Sequence, residues 1–197
     1  DATVTLAGNA PLTWAAGNFV PDGQRLMFNT PLSDSRLDFT NPLRLDADTG
    51  GLPYTVREVF VDDNPTGTTD VARFSGEVSG SASSDLLKTG PGVLELTAPN
   101  TFAGQLLVRG GTVRVDVGAA VGPGAGVRVA SGGRLDGAGT VDRAVIVAAG
   151  GTIAPGVYGT NNPPDTDTLT VTAPVSVAAG GTYRVQLNGT DPGTFST

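Results

Sequence analysis

Four glycine pairs, each followed by one residue and then an apolar one, recur along the second half of the chain: Gly110-Gly111-Thr112-Val113, Gly132-Gly133-Arg134-Leu135, Gly150-Gly151-Thr152-Ile153 and Gly180-Gly181-Thr182-Tyr183. They are 22, 18 and 30 residues apart, about 23 on average, which lies in the range of solenoid repeats. Between them run short apolar alternations closed by Gly, Pro or Asn. In Leu87–Val117, for example, Val113, Val115 and Val117 fall on one face of a strand and Arg114 and Asp116 on the other. A unit this short cannot bury its apolar face alone, whereas a stack of such units can. The pattern therefore predicts an all-β chain in which each unit is one coil of a β-solenoid.

Composition agrees with a narrow bore. The chain has 29 Gly and 14 Pro, 39% hydrophobic residues and only 6% aromatics, which suits small side chains inside and a turn residue every few positions. The charged helix formers are scarce: glutamate occurs only at Glu58, Glu77 and Glu95, and lysine only at Lys88. Residues 1–86 carry twelve acidic and five basic side chains, and residues 87–197 seven of each. With no basic stripe to meet phosphate, nucleic acid is not an expected partner. No apolar run approaches the ~20 residues of a membrane helix, so no membrane insertion by this segment is expected. Asp1-Ala2-Thr3-Val4 shows no leader pattern, so the expectation is a mature product or an excised piece.

In chain order, residues 1–73 read as an N-terminal capping region of irregular β structure continuous with the stack, and residues 74–197 as the coils proper. Strands are expected at Val4–Leu6, Arg25–Phe28, Arg36–Phe39 and Leu43–Asp46, with Trp14 plugging one end or one flank of the core. Tyr54–Val61 has mixed faces, and is expected to be an edge strand or a hairpin leaving the stack. Ser81–Asp85 reads as a polar turn. The long interval between the last two glycine pairs holds one inserted loop, Val157–Asp167.

The chemistry-bearing residues are few. Without Cys or His, neither a Ser-His nor a Cys-His pair can form, and disulfides and thiolate metal sites are excluded. Lys88 is the one candidate for a Ser-Lys dyad; it sits in a Lys-Thr-Gly turn, where its stem is expected to lie along a coil edge with its charge in water. The local carboxylate pairs are Asp46 with Asp48, Asp62 with Asp63, and Asp165 with Asp167. Each reads as a turn former beside Gly, Thr or Pro, and no calcium-loop spacing appears, so no catalytic, cofactor-binding or metal residue is assigned. Thr168, Thr170 and Thr172 alternate once without a repeat in other coils, and Thr112, Thr152 and Thr182 follow the glycine pairs as turn residues. Gly122-Pro123-Gly124-Ala125-Gly126 lacks the Lys-Ser/Thr and the helix of a phosphate loop.

The run Phe74-Ser75-Gly76, Leu87-Lys88-Thr89-Gly90-Pro91-Gly92-Val93-Leu94-Glu95-Leu96, Asn100-Thr101-Phe102-Ala103-Gly104 and Val108-Arg109-Gly110-Gly111-Thr112-Val113 resembles the passenger-associated transport repeat of autotransporter proteins. Gly151-Thr152-Ile153-Ala154-Pro155-Gly156, then Leu169-Thr170-Val171 and Gly181–Leu187, are similar to further coils of the same passengers. The likeness covers residues 74–190 well and residues 1–73 loosely. It implies a right-handed parallel β-helix at a bacterial outer surface or in the extracellular space. No translocator barrel follows, and the chain stops part-way through a rung, so its last strand is expected to be an exposed edge or to be continued by something else. The expected function is a non-catalytic stalk, adhesin scaffold or self-assembling fibre subunit. Its expected partners are further copies added end to end, flanking segments of a longer chain, or a surface polysaccharide or host surface; no cofactor is expected. The alternative is a polysaccharide-binding or polysaccharide-cleaving β-helix with an acidic groove in its first 86 residues.

Overall fold

The computed structural model describes residues 1–17, 19–46, 55–67, 71–156 and 168–185. Among the described residues the sequence's alternating runs become twenty-two short strands that wind round three faces in strict rotation, strands pairing in parallel with the third before and the third after except at the two ends and between β8 and β11. That is a parallel β-helix.

The first face holds β1 (Ala2–Val4), β4 (Leu37–Phe39), β7 (Val71–Phe74), β10 (Val93–Leu96), β13 (Gly111–Val115), β16 (Gly133–Gly137), β19 (Thr152–Pro155) and β22 (Thr182–Tyr183). The second holds β2 (Leu12–Thr13), β5 (Leu43–Arg44) and β8 (Val78–Ser79), then β11 (Pro99–Asn100), β14 (Ala120–Val121), β17 (Thr140–Val141) and β20 (Thr170–Val171). The third holds β3 (Leu26–Phe28), β6 (Thr55–Val61), β9 (Ser84–Thr89), β12 (Leu106–Val108), β15 (Val127–Val129), β18 (Val145–Val147) and β21 (Val175–Val177).

Where the ladder of the second face breaks between β8 and β11, Asn100 bridges it. Its Oδ1 accepts from the Val78 amide at 2.9 Å, while its Nδ2 donates to the Ala98 carbonyl at 2.7 Å and the Ala120 carbonyl at 3.0 Å. The Asn-Thr-aromatic run thus works as a side-chain splice between rungs, satisfying backbone groups that would otherwise be buried unpaired.

Core-facing residues line up in columns. Ala2, Leu37, Ala72, Leu94, Val113, Leu135, Ile153 and Tyr183 are in register along the first face. Leu26, Val59, Lys88, Val108, Val129, Val147 and Val177 are in register along the third. The first two coils are 35 residues long, as Ala2 pairs with Leu37 and Leu37 with Ala72; the later ones take 22, 19, 22, 18 and 30. The glycine spacing therefore reports the coils that contain glycine pairs and understates the earlier ones.

Several expectations are corrected. Tyr54 lies outside the described residues, but Thr55–Val61 is neither an edge strand nor a departing hairpin: β6 lies inside the third face between β3 and β9, with Arg57, Val59 and Val61 buried and Val56, Glu58 and Phe60 turned outward. Its mixed inner face misled because one core position is an arginine. The first strand is Ala2–Val4 rather than Val4–Leu6. The turn at Ser81 is short, and Ser84 and Asp85 already belong to β9. Val117 lies beyond the end of β13 and is exposed, its amide turned to the Asp116 carboxylate at 2.8 Å. The inserted loop at Val157–Asp167 lies outside the described residues.

Candidate functional site

The carboxylate pairs do not converge. Asp46 accepts from the Ser81 amide at 2.7 Å and Asp62 from the Asp63 amide at 3.1 Å, so each ties down a corner of its coil. Asp48, Asp165 and Asp167 lie outside the described residues. Among the described residues no group of three His, Cys, Asp or Glu side chains is placed to hold a metal ion. The threonines that follow the glycine pairs do not form an unbroken ladder, because Arg134 stands between Thr112 and Thr152; Thr152 and Thr182, and on another face Thr140 and Thr170, are adjacent. Gly122 and Pro123 turn their carbonyls to the Arg143 guanidinium.

Lys88 is placed differently from its expectation. It occupies a core-facing position between Val59 and Val108 and is fully buried, not a surface side chain with its charge in water. Its Nζ donates to the carbonyls of Thr89 at 2.7 Å, Gly90 at 2.9 Å and Gly110 at 3.1 Å. Burial pushes its pKa down to about 7, and the nearby Asp63 charge works in the opposite direction. The alternation parity of Leu86-Leu87-Lys88 gave no warning, since a lone lysine at a strand end ordinarily snorkels outward.

The sequence reading also missed a ladder of charge on the outer side of the first face. Asp38, Arg73, Glu95, Arg114 and Asp136 lie in register on five successive rungs, alternating in sign. Asp136 is 1% exposed and is held by Arg114 at 3.0 and 3.3 Å and by Arg134 at 3.0 Å. Glu95 has its pKa raised, first by burial and then by Asp116, against the pull of Arg114, Arg73 and Arg36. Aligning Ala72-Arg73-Phe74, Leu94-Glu95-Leu96, Val113-Arg114-Val115 and Leu135-Asp136-Gly137 would have disclosed this ladder, because the middle residue of each triplet points out.

The two ends of the stack differ. At the N-terminal end Trp14, Val20 and Phe28 are buried and Phe19 stacks on Phe39 of the next coil at 6.4 Å, so the bore is stoppered. At the other end Val175 is 45%, Val177 40% and Tyr183 59% exposed, although their partners one rung back, Val145, Val147 and Ile153, are buried. Ile153, Pro155, Leu169, Val171, Val175, Val177 and Tyr183 line a cavity of about 440 Å³ there. Among the described residues, β20, β21 and β22 each pair on one side only. This end offers both an open apolar bore and three strand edges, the two features by which each rung receives the next.

Compared with known proteins, the chain is 34% identical over 115 residues to the adhesin BmaC, an autotransporter of Brucella suis. That match takes in 58% of this chain and 3% of the length of the relative. No family model matches the chain. No solved structure matches it either.

Proposed function

We propose that the chain is a structural length of a bacterial surface adhesin, a rigid non-catalytic solenoid that spaces binding elements from the cell or carries them outward. The observation that carries this reading is the parallel pairing of strands with their counterparts one rung away, continuous along the first and third faces and interrupted once on the second. Such a stack satisfies backbone donors and acceptors between rungs and fills its bore with Val, Leu and Phe, so it resists local opening. Eight rungs at the usual inter-strand spacing span about 34 Å. The likeness to an autotransporter adhesin supports an extracellular or outer-surface location. The open end, with its strand edges and exposed valines, is where a further rung from a flanking segment of the polypeptide would add.

The test is adhesion by the chain itself. Beads coated with it should bind epithelial monolayers or matrix proteins no better than beads coated with an unrelated solenoid of equal length, while X-ray scattering returns a rod. Saturable binding by the chain alone would transfer the adhesive role to this segment and overturn the spacer reading.

A further inference from the structure

Tight corners in this stack bring backbone against backbone. A Cβ on Gly111 would lie 2.3 Å from the Gly92 carbonyl oxygen and 2.6 Å from those of Gly90 and Pro91. Corners of this kind gather carbonyl oxygens from successive rungs into a small, water-poor space, with the negative ends of their dipoles together. At the corner between the third and first faces, that space contains the Lys88 Nζ. Its acceptors come from two rungs: Thr89 ends β9 and Gly90 follows it, and Gly110 follows β12. An ammonium has three donors and no acceptor, so three carbonyls at 2.7 to 3.1 Å satisfy it completely.

The corner between the second and third faces repeats the design with the other cation. Arg143 is 2% exposed, and its guanidinium donates to the carbonyls of Phe102 at 2.8 Å, Gly104 at 2.8 Å, Gly122 at 2.6 Å and Pro123 at 3.3 Å. Its carbon lies 4.7 Å from the centre of the Phe102 ring. These acceptors also belong to two successive coils.

We propose that the Thr89–Gly90–Gly110 corner is an ammonium-binding site, built from backbone carbonyls of adjacent rungs and filled from inside by Lys88 as a tethered cation. The three hydrogen bonds from the amine head, not the methylene stem alone, then tie these two rungs together. Without the side chain, the site should accept a small primary ammonium ion of matching length.

The experiment is rescue in the whole chain at pH 6. Lys88→Ala should lower the melting temperature by several degrees. n-Propylammonium, which replaces the missing stem and amine, should restore it saturably at millimolar concentration, whereas n-propanol, its neutral counterpart, should not. Lys88→Met keeps the stem without the charge, and should stay destabilised with faster amide exchange at Gly110–Thr112. Rescue by propanol equal to rescue by propylammonium, full stability of Lys88→Met, or a folded Lys88→Ala that responds to neither compound would each overturn the proposal. Should Lys88→Ala fail to fold, its refolding yield with propylammonium against propanol gives the same discrimination.

Discussion

The first two coils take 35 residues each and the next four between 18 and 22, yet both groups deliver strands to the same faces in the same rotation. The first coil and the short ones turn their corners by different means. Among the described residues, the four non-glycine residues with left-handed φ, Ala7, Asn9, Ala15 and Asn29, belong to the first coil, and Gly8, Gly17 and Gly23 there stand in open space. In the short coils Gly104, Gly111, Gly133 and Gly139 meet carbonyls of the rung before, although Gly118 stands in open space. The cores differ accordingly: Phe28, Phe39 and Phe74 meet with ring centres 5.3 to 5.7 Å apart near the N-terminal end, while Val and Leu fill the bore beyond. Long corners leave room for rings and tolerate loose backbone; short corners demand small residues and fixed contacts.

The sharpest break of that contrast is a methyl group placed at one glycine from each region. A Cβ on Gly104 would sit 2.0 Å from the Ser84 carbonyl oxygen, so Gly104→Ala should cost about 3 kcal/mol or more in urea denaturation. Gly17 has a φ of 62° with nothing near its Cβ position, and Gly17→Ala should cost about 1 kcal/mol, the local backbone preference alone. Equal losses would mean that corner packing does not separate the two regions.

Next in size are the ion pairs. Asp136→Asn removes a buried carboxylate from between Arg114 and Arg134, and should destabilise by about 3–5 kcal/mol because two guanidinium groups lose their partner. Near the N-terminus, Arg36 and Asp1 pair at 3.1 Å in solvent, and Arg36→Ala should cost about 0–1 kcal/mol.

Lys88 makes stability depend on pH in the short-coil region. Its folded pKa of about 7 lies below the ordinary 10.5, so between those values the unfolded chain holds a proton that the folded chain has released. Stability from this group should therefore rise as pH increases from about 7 to 10.5 and be flat below. Denaturation midpoints across that range should lose this rise in Lys88→Met; an unchanged slope would show that the lysine does not titrate in the window.

The stacking of coils and the later coil lengths can be read from the glycine pairs, because corner glycines are required where backbones touch; the rotation over three faces cannot, since the pairs mark one corner per coil. The early coils were less legible, since their corners need no such residue and so leave no periodic mark. Trp14 was placed correctly because a lone large ring in a chain of small apolar residues has few positions that fit. Lys88 and Arg57 were not, because side-chain type argues for solvent and only the stacking of rungs reveals carbonyls waiting inside. The open end is recorded in Val175 and Val177 only through their register with buried partners.

That end carries a modest expected change in stability and the clearest change in behaviour. Val177 faces the bore but is already 40% exposed, so Val177→Asp should cost about 1 kcal/mol of unfolding free energy. The exposed edges and apolar bore should nevertheless associate when the chain is alone. With the bore at the other end stoppered by Trp14 and its neighbours, head-to-tail growth would rest on the edges of β1, β2 and β3 alone, so two open ends facing each other should be favoured and close the contact after a single step. Sedimentation at rising concentration should then follow a monomer–dimer equilibrium that Val177→Asp shifts to monomer. Species growing beyond the dimer, and removed by the same substitution, would show that both ends accept a neighbour and would return the chain to the class of filament subunits.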